Sequence, residues 1–234
     1  MIDLLTSGNI TAAIAFLCAA VLSIMLHELG HGYAAILNGD NTPLYQGRMT
    51  LNPLSHFDPL GFLLFLFVGF GWAKPVQVNA NNFKNYRKGL FTVAIAGVTV
   101  NFILLFISVP LCKLMMMLYQ KAYFASQGEP SFLLFLCELV YSFFMFLISI
   151  NPVLMVFNLM PVYPLDGFRV VESVTRGTNR YVQMMYRYGR YAMVAFLVLI
   201  YALNFMGFDL LGLLASWVSW PVNQFWNLIF GLFA

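Results

Sequence analysis

The chain has 234 residues, of which 61% are hydrophobic and only 9% are charged, and its formal net charge at neutral pH is +3. A soluble domain carries about 25% charged residues, so this composition excludes a soluble globular protein. It predicts a single membrane domain over residues 1–234, an all-α polytopic membrane protein with about five to six transmembrane helices in contact with the lipid bilayer. Nucleic acid is not expected as a partner, because no basic patch is interleaved with polar surface.

Five segments have the roughly 20 consecutive, mostly apolar residues that a membrane-spanning helix needs. The first begins without the Lys or Arg that opens a signal peptide, so it predicts a retained span. The five predicted spans are residues 10–37, 90–114, 132–157, 188–206 and 210–233.

The connection between the first two spans, residues 46–79, has its own pattern. Residues 60–71 are apolar but too short to cross a membrane, which indicates a re-entrant or interfacial segment. On both sides, in residues 46–53 and 72–79, partial alternation of polar and apolar residues bounded by Pro and Asn predicts short β-strands.

The basic residues predict an orientation, because cytoplasmic loops carry the excess of Lys and Arg. Residues 38–89 hold five of the 12 and residues 158–190 hold another five, whereas the opposite side receives only Lys113 and Lys121. We therefore expect the N-terminus to lie outside the cell membrane. The end of the first span and the loop around Asp166 then share the cytoplasmic face.

The first span contains the motif His27-Glu28-Leu29-Gly30-His31. Residues four apart project from nearly the same face of a helix, one turn apart, as two ligands of a tetrahedral zinc require. Glu28, adjacent to them, can deprotonate a metal-bound water, whose pKa zinc lowers to about 7. Ionisable groups inside a span are costly and usually functional, which favours a metal site over two merely hydrogen-bonded histidines.

Catalytic zinc usually takes three protein ligands, so a third is required. An acidic ligand is favoured, because Zn²⁺, one aspartate and an ionised Glu28 sum to neutrality. Asp166 is the acidic residue in the most suggestive context. It closes a segment in which two prolines and a glycine break the helix where the third span reaches the cytoplasmic face, and broken backbone at membrane depth is tolerated only in protein or beside a polar cavity.

Two motifs together resemble the site-2 protease family of intramembrane zinc metallopeptidases: H-E-L-G-H in an early span and N-L-M-P-V-Y-P-L-D-G at residues 158–167. Residues 47–61 and 71–79 are also similar to bacterial and archaeal members, and the resemblance covers about residues 22–170. It implies one Zn²⁺ per chain held by His27, His31 and Asp166, with Glu28 as general base. It further implies that Asn158 stabilises the oxyanion and that Pro164 shapes the ligand loop.

The family cleaves a transmembrane segment of a membrane-protein substrate, in regulated intramembrane proteolysis. We therefore expect a catalytic core over residues 10–170, with its last span and loop at residues 132–168, and accessory spans over residues 188–233. No loop has room for a PDZ-like domain, so we expect a minimal core without that domain or a C-terminal sensing domain. The segment A-G-V-T-V-N, residues 96–101, lacks a proline typical of the family, and we interpret Asn101 as an interhelical hydrogen-bonding residue packed near Gly97.

A single-span substrate has to be extended before its peptide bonds can be attacked. An unpaired edge of one predicted strand, Arg48 to Asn52 or Trp72 to Val78, would let such a segment add by β-augmentation. A purely structural hairpin is the alternative. The candidate substrate-binding residues are Arg48, Leu51, Asn52, Trp72 and Pro164.

Two other functions fit part of the pattern. A membrane metal-binding or metal-transport protein would use the same ligands without a base beside them. A prenyl-protein-type membrane endopeptidase would share H-E-x-x-H but take a glutamate as third ligand.

Overall fold

Long apolar runs become helices in a membrane because a helix satisfies each backbone N–H and C=O within its own segment. The computed structural model describes residues 9–56, 58, 60–61, 74–175 and 179–232. Their helices are α1 (Ile10–Leu37), α2 (Thr42–Tyr45), α3 (Tyr86–Ala125), α4 (Phe132–Asn158), α5 (Asp166–Val174), α6 (Arg180–Phe205) and α7 (Leu210–Leu232), with short 3₁₀ turns at Pro53–Ser55 and Ala80–Asn82.

Four of these helices, α1, α3, α4 and α6, are long and apolar enough to cross a membrane. Each starts at a residue whose side chain accepts a backbone N–H of the first turn, at Asn9, Asn85, Ser131 and Asn179. At about 1.5 Å per residue the 40-residue α3 spans about 60 Å, twice the apolar thickness of a bilayer, so it continues beyond the predicted span.

The fifth predicted span corresponds to α7, a helix of 23 residues that is not among those four. Its second half carries Asn223, Gln224 and Asn227, which make it less apolar than the others. It packs against α3, where Trp226 donates its Nε1–H to the Phe106 carbonyl over 2.9 Å.

The centre of the molecule is formed by α1, α3 and α4. A Cβ on Gly30 would lie 2.9 Å from Val100 Cγ2 and 3.1 Å from the Ala96 carbonyl oxygen, so α1 and α3 approach as closely as their small residues allow. Between α1 and α4, Asn151 donates to the Ser23 hydroxyl over 3.1 Å, and both side chains are fully buried.

The predicted strands are absent from the part of the chain that the structure describes. In the first, Gly47 and Arg48 donate their backbone N–H groups to carbonyls of α2, so these two groups are not available to a strand ladder. In the second, side-chain carboxylates take the N–H groups of Val76 and Asn79. Trp72 and most of the predicted re-entrant segment, residues 62–71, lie outside the described residues.

The break predicted after the third span is present. Helix α4 ends at Asn158, the two prolines follow, and α5 begins at Asp166. A Cβ on Gly167 would collide with the Leu159 carbonyl oxygen. Glycine therefore lets the start of α5 fold back against the end of α4, which points Asp166 toward α1.

Candidate metal centre

Three side chains that can bind a metal meet where α1 faces the start of α5. His27 and His31 are 6% and 8% exposed, and their Nε2 atoms lie 3.0 Å apart. Asp166 Oδ2 lies 3.3 Å from Nε2 of His27 and 3.2 Å from Nε2 of His31. The structure thus brings together the three residues that the sequence predicted as ligands.

The spacing of these three atoms suits zinc. Bonds of about 2.0–2.1 Å in a tetrahedral arrangement place ligand atoms about 3.3 Å from one another. Although it is close to both nitrogens, Asp166 Oδ2 is buried and accepts no well-aligned hydrogen bond. Burial raises the pKa of Asp166, but the neighbouring His31 and His27 outweigh it, so the net shift of the pKa is downward.

Helix α3 forms the wall behind the two imidazoles. A Cβ on Gly97 would lie 2.5 Å from His27 Cε1 and 2.6 Å from His31 Nε2, distances that real Cβ contacts do not show. The carbonyl of Val93, one turn earlier, lies 2.7 Å from His31 Nδ1. Asn101, one turn later and fully buried, has its Nδ2 3.2 Å from His27 Nδ1. Asn101 is therefore the interhelical hydrogen-bonding residue that the sequence indicated.

Glu28 stands beside the three-residue cluster and not within it. Its Oε2 accepts the backbone N–H of Val76 over 2.8 Å. Residues 74–79 thus cross in front of Glu28, and we call them the 74–79 segment. A second hydrogen bond holds its start, where the Lys74 N–H donates to the His56 carbonyl over 2.8 Å. Oε1 of Glu28 receives no bond from the segment and is the oxygen left to act on a ligand.

Asp40 anchors the far end of the 74–79 segment. It is fully buried, and its carboxylate accepts the Asn79 N–H over 2.7 Å, the Asn82 amide over 2.8 Å and two donors of Thr42. Burial raises the pKa of Asp40, but the hydrogen bonds from Thr42, Asn82 and Asn79 outweigh it, so the net shift is downward. Asp40 was not predicted from the sequence, because its loop context does not indicate that so many donors surround it.

A small cavity of about 140 Å³ contains the cluster. The 74–79 segment supplies one wall through Pro75, Val76 and Val78, and α5 supplies another through Arg169. Sites that enclose small-molecule ligands usually have about 300–1,000 Å³, so this cavity has room for several waters and is small for a polypeptide segment. Arg169 was not predicted, although its position one helical turn after Asp166 could have indicated it.

The two residues implied by the family resemblance at the end of α4 also line the cavity, namely Asn158 and Pro164. Asn158 donates one amide hydrogen to the Leu154 carbonyl over 3.0 Å. Its Nδ2 carries a second hydrogen, which remains available to a bound group.

The other predicted substrate-binding residues lie elsewhere. Arg48 donates to the Ser55 carbonyl and Asn52 accepts the Leu54 N–H, so both stabilise the loop around the 3₁₀ turn Pro53–Ser55. Leu51 is 68% exposed. Trp72 is outside the described residues. Of the five, Pro164 is the residue that the described structure brings to the cavity. Three residues of the 74–79 segment also line the cavity, so this segment is a better candidate for contacting a substrate than the loop around Pro53–Ser55.

Comparison with known proteins gives two matches. A family model described as "Peptidase family M50" matches residues 15–201. The "Putative zinc metalloprotease YwhC" of Bacillus subtilis (strain 168) is 39% identical over 202 residues, which cover 86% of this chain and 82% of that protein. No solved structure matches. The residues matched by the family model include both motifs that supply the cluster.

Proposed function

The chain belongs to peptidase family M50, and on that premise we propose that it is an intramembrane zinc endopeptidase that cleaves a transmembrane segment of another membrane protein. The observation that carries the proposal is the meeting of Asp166 with His27 and His31 from a distant part of the sequence. The described residues bring an aspartate and not a glutamate to the histidines, which favours this family over the prenyl-protein type. Family membership favours proteolysis over metal transport.

His27, His31 and Asp166 would hold the metal, one ion per chain. Zinc, when bound there, supplies Lewis-acid polarisation of the scissile carbonyl and lowers the pKa of a coordinated water to about 7. Glu28 would accept the proton of the attacking water at Oε1 and deliver it to the leaving amine, while the Val76 N–H holds Oε2 in place. The free amide hydrogen of Asn158 would stabilise the charge that develops on the carbonyl oxygen.

The substrate would be a single-span membrane protein, cleaved near the cytoplasmic face of the cell membrane in regulated intramembrane proteolysis. A helical segment hides its carbonyls in hydrogen bonds, and the cavity is too small for a chain. Substrate entry would therefore require an unwound segment and movement of the 74–79 segment away from Glu28.

The proposal is tested by reconstituting purified protein in liposomes with tagged single-span substrates. The native protein should cleave at least one, and a zinc chelator should stop cleavage. Glu28→Gln should keep its zinc and lose about 10²–10⁴-fold in cleavage rate, the usual contribution of a general base.

Cleavage by Glu28→Gln at the native rate would contradict the assigned role of this carboxylate. Zinc uptake into liposomes that survives Glu28→Gln, with no substrate cleaved by the native protein, would favour a transporter instead.

A further inference from the structure

Each metal-binding imidazole needs a partner on its outer nitrogen. A histidine that binds a metal through Nε2 carries its proton on Nδ1, where an acceptor fixes both the tautomer and the ring plane. His31 has such an acceptor, since its Nδ1 lies 2.7 Å from the Val93 carbonyl oxygen. The corresponding partner of His27 is the side chain of Asn101.

The Asn101 carboxamide is placed to change roles. Its Nδ2 faces His27 Nδ1 at 3.2 Å, while its Oδ1 is buried and has no hydrogen-bond partner among the residues that the structure describes. A rotation of 180° about Cβ–Cγ exchanges the two groups in nearly the same space. One amide group stays unpaired in either orientation, so the position of the His27 proton decides which orientation is preferred.

We propose that Asn101 is a positioning residue for the metal site. When the Asn101 Oδ1 faces His27, this oxygen accepts a hydrogen bond from the Nδ1–H of His27. The Nε2 lone pair of His27 is then directed at the point that His31 and Asp166 also face. Val93 and Asn101 both belong to α3, with Gly97 between them where the rings require space. One face of α3 therefore fixes the orientation of both imidazoles.

The proposal rests on the proposed zinc site, and zinc affinity tests it without any substrate. Asn101→Leu keeps the approximate volume but removes the acceptor, and loss of such an outer partner costs about 10–100-fold in metal affinity. Asn101→Asp can accept but cannot donate. We therefore expect Asn101→Leu to weaken zinc binding about 10–100-fold in a chelator competition, and Asn101→Asp to stay within about threefold of native.

The chain offers a matched control. Asn151 of α4 is equally buried and also has an Oδ1 without a partner among the described residues. It donates to the Ser23 hydroxyl and to the Leu147 carbonyl, not to a residue of the cluster. Asn151→Leu should reduce the thermal stability of the zinc-free protein in detergent about as much as Asn101→Leu does, yet leave zinc affinity within about twofold of native.

Native-like zinc affinity in Asn101→Leu would overturn the proposal. Equally weakened zinc binding in Asn101→Asp and Asn101→Leu would also overturn it, because the site would then need a hydrogen-bond donor or only the packing of the native side chain. If Asn101→Leu does not fold, the comparison of Asn101→Asp with native decides alone. Failure of the native protein to bind zinc would instead remove the proposed function itself.

Discussion

At the scale of single residues, the chemistry of the candidate site was largely readable from the sequence. The histidines are four apart on one helix and Asp166 stands at a predicted break, so spacing and turn residues sufficed to select them. The residues that shape their surroundings were not readable in the same way. Gly97 acts by leaving space, Val93 acts through its backbone carbonyl, and Asp40 acts through hydrogen bonds to distant loop donors. None of these roles leaves a pattern in a single sequence.

Gly97 provides a prediction at this scale. Gly97→Ala adds a Cβ that would lie within 2.6 Å of atoms of both imidazoles, so the rings or α3 must move. We expect zinc affinity to fall by at least about tenfold, comparable to the loss of an outer partner of a ligand, as measured by chelator competition.

A matched glycine serves as control. Gly231 lies in α7, and a Cβ there meets nothing within 4 Å. Gly231→Ala should leave zinc affinity unchanged and stabilise α7 by up to about 1 kcal/mol. Equal zinc affinity in the two alanine variants would refute the close fit between α3 and the histidines.

At the scale of elements, helices were predicted well and strands were not. Long apolar runs form helices in lipid, so α1, α3 and α4 contain the expected spans and α6 covers all of the fourth except residue 206. The alternating segments near residues 46–53 and 72–79 depend instead on where their N–H groups find acceptors. Those acceptors are the α2 carbonyls and the carboxylates of Glu28 and Asp40, which periodicity does not reveal.

The anchor at Asp40 predicts the behaviour of the 74–79 segment. Asp40→Asn replaces the charged carboxylate with a neutral amide. The NH₂ group of this amide would face N–H donors that now bond to the carboxylate, such as those of Asn79 and Asn82. Hydrogen bonds to a charged group contribute about 1.5–3 kcal/mol each, so opening of the segment should become about 10–100 times more frequent. Hydrogen exchange of the backbone amides in residues 76–82 should accelerate accordingly.

The matched control is Asp58→Asn, because the Asp58 carboxylate accepts the N–H groups of Leu60 and Gly61 and not those of the 74–79 segment. In the Asp58→Asn variant, hydrogen exchange of the backbone amides in residues 76–82 should occur at the native rate.

The pH dependence gives a second check. Because folding lowers the pKa of Asp40, the stabilisation of the segment by Asp40 is complete above the ordinary carboxyl pKa of about 4 and is lost as the pH falls through the lower pKa of the folded protein. Increasing protection of residues 76–82 on acidification would contradict the anchor.

For the whole molecule, composition predicted a polytopic membrane protein, and the four candidate spans and the family membership support that prediction. The number of spans was harder to predict, because α7 combines sufficient length with Asn and Gln residues and packs on α3. Such a helix satisfies part of its polar surface within the protein, and a single sequence does not show which helices do so.

Orientation provides the prediction at this scale. With the N-terminus outside and α7 as a fifth span, the C-terminus lies in the cytoplasm, on the side of the basic connections. A C-terminal fluorescent fusion that matures only in the cytoplasm should be bright, and a phosphatase that is active only outside should be silent at the same position. The reverse pattern would mean four spans or an inverted molecule.

We propose that two segments far apart in sequence bind one zinc ion through His27, His31 and Asp166. The zinc content of purified variants, measured by elemental analysis, tests this directly. We expect about one zinc per chain in the native protein and in an Asp209→Ala control, and almost none in Asp166→Ala. Full zinc occupancy in Asp166→Ala would contradict it.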